Sequence, residues 1–260
     1  MQDTIDFSTV TELDGALVST AQIVRVLQRY FWAGEYCRDK VVLEVACGAG
    51  QGLGYLSSVS RQLSAGDITP SLVARARENT NGQVNVSQMT AENLPYQAES
   101  LDVVILFEAI YYLESAEAFI NECARVLRPG GVLLLATANK DLYDFNPSPF
   151  SVQYFNPPEL NALLEKYGFK SKFFGGSPVD VESMRGRIFR RLKKLAVYYG
   201  FIPKSMGGKK WLKRLIFGQL VPMPTDIRSE SKFQYVEPIP IENHTPDVTH
   251  QVIYCAAQLR

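Results

Sequence analysis

Val41-Val42-Leu43-Glu44-Val45-Ala46-Cys47-Gly48-Ala49-Gly50-Gln51-Gly52 is a short, largely apolar run that stops in small residues. A run of this length without polar alternation predicts a strand buried on both faces. The glycines that follow predict a turn whose backbone passes close to a ligand and adopts dihedral angles closed to other residues. Gln51 to Leu63 predicts a helix, and the first N–H groups of a helix are free to bind. A strand, a glycine turn and a helix in that order hold a pyrophosphate in dinucleotide-binding folds. Glu44, at the strand's end, disfavours a diphosphate and suits a cation. Asp67, seventeen residues beyond Gly50 at the end of the next predicted strand, matches the acid that hydrogen-bonds ribose hydroxyls. Together the two acids point to a nucleoside that carries positive charge.

The same rhythm continues outward from this turn. On the N-terminal side, Leu17, Ile23, Val24, Leu27, Tyr30 and Phe31 form an apolar stripe at helical spacing that ends near Ala33-Gly34. On the C-terminal side, strands are predicted at 64–68, 83–88, 101–107, 132–138, 169–174 and 250–258. Helices are predicted from Pro70, over 116–127 with Arg128-Pro129-Gly130-Gly131 closing it, and over 158–167. Strands alternating with helices imply an α/β fold with a doubly wound, mostly parallel sheet. The stretch beginning near Ser177 breaks the rhythm and has helical patterns of its own, so it reads as an insertion before the last strand.

The 260 residues hold 27 Lys+Arg and 27 Asp+Glu, with 46% apolar and 21% charged residues, which is ordinary for a globular protein. No apolar run approaches the length of about 18 residues that a bilayer-spanning helix needs. The N-terminal MQDTIDFSTVTELDG lacks the basic-then-apolar pattern of a secretory leader, which predicts a cytoplasmic protein. Cys37, Cys47, Cys123 and Cys255 lie far apart without a CxxC pair, so they read as reduced thiols, and no metal site is expected. The net charge of zero hides a division. From Ser183 to Thr225 there are eleven basic residues and no acidic one, leaving 16 basic against 27 acidic elsewhere, a balance of −11. Such a split is a signal about partners.

Four motifs, in order, resemble those of the class I S-adenosylmethionine-dependent methyltransferases. VVLEVACGAGQG (41–52) is similar to their first motif, and AGDITPSLVARA (65–76) to the segment carrying the ribose acid. QMTAENLPYQAESLDVVILFEAIYYL (88–113) resembles the adenine-binding turn and fourth strand, and RVLRPGGVLLLAT (125–137) the approach to the fifth. The resemblance covers roughly residues 29 to 175 and the final strand. It implies S-adenosylmethionine as cofactor and a seven-stranded sheet whose last strand is antiparallel. The implied domain covers 1–176 plus 247–260, with 1–38 as an N-terminal helical lid. The basic insertion, 177–246, would be an acceptor lid or membrane-contact segment. Glu44, Ala46, Gly48 and Gly50 would hold the methionine part, Asp67 the ribose, Ile68 the adenine face, and Thr90, Ala91 and Glu92 the adenine edge. Phe107 would line the site. Two positions depart from the pattern: Ala46 replaces the usual first glycine, and Thr90 stands where an Asp commonly meets the adenine amino group. Arg29-Tyr30 is similar to an RY-containing helix of methyltransferases found among sugar and polysaccharide biosynthesis proteins. There Tyr30 would face the sulfonium and Arg29 the methionine carboxylate.

A sulfonium methyl is already electrophilic, so positioning supplies much of the acceleration, and an oxygen nucleophile also needs a base. Glu108, Tyr111 and Tyr112 follow the fourth strand at its carboxyl edge, where ligands collect in such sheets. Similar sugar methyltransferases often carry a His near position 112; Tyr112 is a poorer base at neutral pH. His244, in ENHTPD, is a further candidate that also reads as an exposed loop residue. In the basic stretch, Ile188, Leu192, Leu195, Ala196 and Tyr199 alternate with cations, as do Trp211, Leu212, Leu215 and Ile216. Such amphipathic basic helices suit an anionic membrane surface or a phosphorylated acceptor; their apolar stripes also suit packing on the domain. The leading expectation is O-methylation of a small sugar-like or lipid-linked acceptor, with peripheral contact at the inner membrane face. N- or C-methylation of a small metabolite or quinone is the alternative. A catalytically silent cofactor-binding module that docks on anionic membrane is another. The acidic remainder and scattered aromatics argue against nucleic acid.

Overall fold

A computed structural model of the protein describes residues 6–179, 220–229 and 234–260. All eleven cations of the basic stretch, and the two amphipathic helices expected there, lie outside the described residues. The first forty residues do not form one continuous helix. A single turn of 3-10 helix, Phe7–Thr9, is followed by strand β1 (Leu17–Ser19) and then helix α1 (Thr20–Cys37). Gly15, at φ 75°, turns the chain before β1. Ser19 starts α1 with a reciprocal cap: the Gln22 N–H donates to its hydroxyl, and its own N–H donates to the Gln22 side chain.

The remaining strands are β2 (Val41–Val45), β3 (Gln62–Asp67), β4 (Asn85–Gln88), β5 (Leu101–Phe107) and β6 (Leu127–Ala138). They are followed by β7 (Phe169–Pro178), β8 (Leu220–Pro222), β9 (Ile239–Ile241) and β10 (His250–Leu259). Helices α2 (Leu53–Val59), α3 (Pro70–Asn79), α4 (Ala116–Val126) and α5 (Pro157–Lys166) lie between them. The main sheet has eight strands in the order β4-β3-β2-β5-β6-β10-β7-β9. Neighbours from β4 to β6 are parallel. β10 is antiparallel to both β6 and β7, as expected for the last strand.

The expected seventh-strand limit is exceeded by β9, which pairs antiparallel with β7 at the edge. Ile239-Pro240-Ile241 is too short to announce a strand, and a Pro is tolerated there because an edge strand has a free side. β8 pairs with β1 in a separate two-stranded ribbon. Thus the described parts of 177–246 hold strands β8 and β9 and a single turn of 3-10 helix, Ile227–Ser229. Two boundaries also move. Arg128-Pro129-Gly130-Gly131 does not cap a helix; it belongs to β6, where the register with β5 shifts between Leu101 and Val103. α2 is shorter than the 51–63 expectation, because β3 already begins at Gln62.

The strands bury both faces. Val103 and Ile105 pack with Ile23, Leu27 and Trp32 of α1, while Val104 and Leu106 pack with Phe119 and Ile120 of α4. This alternation explains why β5 reads as a continuous apolar run. All four cysteines are buried free thiols, and burial pushes Cys37 up to about 12.

Candidate active site

The chain crosses from β2 into α2 through a turn built on three residues with positive φ: Ala46 (54°), Gly48 (57°) and Gly50 (80°). For Ala46 this conformation costs on the order of 1–2 kcal/mol, because its Cβ crowds the carbonyl. Asp67, at the end of β3, binds the turn from the side. It accepts from the Gly48 N–H at 3.0 Å and from the Thr69 N–H at 2.9 Å. Burial pushes its carboxyl up, and these N–H groups oppose the shift. Gly50 is packed under the turn. It does not line the cleft; a Cβ there would meet Leu53 Cδ1 at 2.9 Å and Ala76 Cβ at 3.1 Å, so it lets α2 and α3 close on the turn.

Above the turn lies a cleft of about 1320 Å³ over the carboxyl ends of β2, β3 and β5. α1 walls it. The Tyr30 hydroxyl donates to Glu44 Oε1 at 2.7 Å, and its ring stands edge-on to Phe107, 5.7 Å between centroids. A Cβ on Gly52 would fall 2.0 Å from that ring, so Gly52 is the residue that admits Tyr30. Glu44 is 1% exposed and its Oε2 has no hydrogen-bond partner among the described residues. Burial raises its pKa to about 7, against the Tyr30 hydrogen bond and the Arg29 charge.

The residue before Tyr30 on α1, Arg29, meets Glu108 Oε1 at 3.3 Å and Glu12 Oε2 at 3.9 Å. Burial opposes its charge, but those two carboxylates outweigh it and raise its pKa; its Nε is buried without a partner among the described residues. Glu108 sits at φ 52°, held by its N–H on the Ala136 carbonyl, and also accepts from the Tyr111 hydroxyl at 3.1 Å. The Tyr112 hydroxyl lies 2.6 Å from Ser148 Oγ, and burial raises its pKa. At the opposite side, Thr90 donates to Glu92 Oε2, whose other oxygen accepts from the Glu114 N–H at 3.1 Å. Ile68 is 37% exposed beside them.

Arg29, Tyr30, Glu44, Ala46, Gly48, Asp67, Ile68, Thr90, Ala91, Glu92, Phe107, Glu108 and Tyr112 thus share one cleft. His244 does not line it. β9 carries the chain to the outer edge of β7, and His244 is exposed three residues beyond it. Sequence reasoning missed Glu12, Arg25, Ser148, Phe150, Val152 and Gln251. Ser148, Phe150 and Val152 sit in an irregular loop, and no periodicity marks such positions. Arg25 was legible, since it precedes Arg29 by four residues on one helix. Six acidic residues and two arginines face the cleft, an acidic balance that favours a cationic ligand.

Residues 43–135 match the model of the methyltransferase domain family. A protein of Mycolicibacterium smegmatis named as a probable S-adenosylmethionine-dependent methyltransferase is 33% identical over 159 residues, covering 58% of this chain and 62% of that one. The chain therefore spans less than two thirds of that relative's length. A ubiquinone biosynthesis O-methyltransferase of Xanthomonas axonopodis is 28% identical, over 62% of this chain and 76% of its own. A solved S-adenosylmethionine-dependent methyltransferase of Thermotoga maritima shares the fold, with a TM-score of 0.58 and 92% of each chain covered at 15% identity.

Proposed function

We propose that this chain, whose residues 43–135 carry a methyltransferase domain, transfers a methyl group from S-adenosylmethionine to an oxygen of a small sugar-like or lipid-linked acceptor. The observation that carries the reading is the pair of unpartnered buried atoms on neighbouring groups, Glu44 Oε2 and Arg29 Nε. A buried polar atom without a partner is costly, and these two fit an ammonium and a carboxylate, the two ends of an amino-acid zwitterion. Gly48 and Ala46 would bring backbone alongside it, and Asp67 would take the ribose hydroxyls. Ile68 and Ala91 would flank the adenine. The hydroxyl of Thr90 is already spent on Glu92, so backbone would meet the adenine edge.

Bound there, S-adenosylmethionine supplies an electrophilic methyl group, and the chain's own residues have to orient the acceptor and receive its proton. Glu108 is the carboxylate at that position, with Arg29 and Tyr111 fixing its direction. Tyr112 and Ser148 form a hydroxyl pair that can bond an acceptor oxygen. The X. axonopodis relative is named for O-methylation, which supports oxygen as the receiving atom. The lipid-linked part rests on the eleven cations between Ser183 and Thr225, which suit phosphate groups at the cytoplasmic membrane surface. Among the described residues no helix is long and apolar enough to cross a membrane.

Calorimetric titration with S-adenosylhomocysteine tests the cofactor part: binding is expected, and its absence would overturn the reading. Transfer of an isotope-labelled methyl group in a cell extract, with the product resolved by NMR, tests the acceptor atom. A methoxy signal is expected; an N-methyl or C-methyl signal counts against oxygen. Co-sedimentation with anionic vesicles tests the membrane part, which fails if Arg190, Arg191, Lys193 and Lys194 all changed to Gln leave binding unaltered.

A further inference from the structure

Two guanidinium groups face the cleft from one side of α1, a helical turn apart, and their surroundings differ. Arg29 is answered by the carboxylates of Glu108 and Glu12. Arg25 has no carboxylate partner among the described residues; its hydrogen bond goes to the neutral Oε1 of Gln251 at 3.2 Å. Glu12, the nearest acidic influence, is already engaged by Gln22 at 3.0 Å and by Arg29. Burial pulls the Arg25 guanidinium below its usual range, and Glu12 offsets that only in part. A partly desolvated cation with donors to spare is a receptor for negative charge.

The placement of Arg25 says whose charge that is. Gln251 and Val252 follow His250 at the start of β10, Val252 pairs with Ala138 at the end of β6, and Gln251, Val252 and Ala138 all line the cleft. Asp67 ends β3 and Thr90 follows β4, on the other side of β2 and β5 from β6 and β10. Arg25 therefore stands in the half of the cleft that the nucleoside does not need. The cleft has aromatic and aliphatic surface in Tyr111, whose hydroxyl reaches the Glu108 carboxylate that pairs with Arg29, and in Tyr112, Phe150 and Val152, the last two being 51% and 62% exposed at the rim.

The geometry points to Arg25 as the residue that holds an oxyanion, a carboxylate or a phosphate, carried by an acceptor whose body is apolar. This rests on reading the cleft as a methyl-transfer site. A guanidinium offers two parallel N–H donors to either oxyanion, which fixes orientation as well as charge. With the anion at Arg25, the acceptor's remaining length runs along the tyrosines beside Glu108.

The test uses the full chain saturated with S-adenosylhomocysteine, titrated calorimetrically with phenylacetate, benzyl phosphate and neutral benzyl alcohol. One of the anions is expected to bind at least about tenfold more tightly than the alcohol, the range of one charge-assisted hydrogen bond. The stronger of the two identifies the oxyanion. Arg25→Gln is expected to abolish the preference and Arg25→Lys to keep part of it, while the affinity for S-adenosylhomocysteine stays within about twofold, which also shows that the variants are folded. Equal binding of anions and alcohol, or a preference that survives Arg25→Gln, overturns the assignment. A wild-type protein that fails to bind S-adenosylhomocysteine overturns the methyltransferase reading, and this inference with it.

Discussion

Glu44 stands buried at the end of β2, with one oxygen bonded to Tyr30 and the other bare. Its pKa of about 7 in the folded chain lies above the ordinary 4.5, so the folded protein holds the proton more tightly than the unfolded one. Its contribution to stability is therefore fully present below the unfolded value and is lost as pH rises through about 7. Glu44→Gln removes that penalty. We expect the ligand-free variant to melt higher than wild type at about pH 8, yet to bind S-adenosylhomocysteine at least about tenfold more weakly, a divergence typical of residues kept for function. An ammonium beside the bare oxygen should ionise it, so binding at about pH 6 should release a proton, measurable as a dependence of the calorimetric heat on buffer. Wild-type binding without proton release would argue that the ammonium lies elsewhere. At this scale much of the site was legible, because charge and glycine are chemical signals that survive without coordinates. Glu44, Asp67 and Gly48 declared themselves in this way. The packing at Gly50 did not, since Ala76, which a Cβ there would meet at 3.1 Å beside Leu53, is distant in sequence. His244 misled because a histidine's reactivity is visible in sequence and its distance from a cleft is not.

Helix α1 is the element on which the site depends. It presents Arg25, Arg29 and Tyr30 to the cleft while Ile23, Leu27 and Trp32 anchor it to the sheet. Its seat is Gly52, where the neighbouring turn leaves room for the Tyr30 ring. Gly52→Ala would force that ring aside or push α1 outward, an overpacking expected to cost about 1–3 kcal/mol by chemical denaturation. Because the ring also carries the hydroxyl on Glu44, cofactor affinity should fall in parallel; unchanged affinity would mean that Tyr30 is not part of the site. The strong elements were readable from sequence where their neighbours are local, as with α1's apolar stripe and the helix expected over 158–167, which is α5. β1, β8 and β9 were not, because three-residue strands acquire their identity from a distant partner and not from their own composition.

At the scale of the molecule, the net charge of zero is a sum over unlike parts, with the acidic remainder holding the cleft and eleven cations confined to one stretch of the sequence. The family resemblance implied a seven-stranded sheet with an antiparallel last strand, and the order of its strands came from the structure. The eighth strand was not implied. One consequence concerns the order in which the chain is made. β6 and β7 are neighbours only through β10, which follows both in the chain and supplies hydrogen bonds to each. Until His250–Leu259 has been synthesised, the nascent protein carries two open strand edges facing the same gap, and open edges invite pairing with other chains. A version ending at Thr249 should accumulate as aggregate, whereas the same version co-expressed with a separate 250–260 peptide should recover part of its solubility. The vulnerable interval in this protein's life thus falls before residues 250–259 are made, when most of the cleft is in place and the sheet beneath it still lacks the strand that joins β6 to β7.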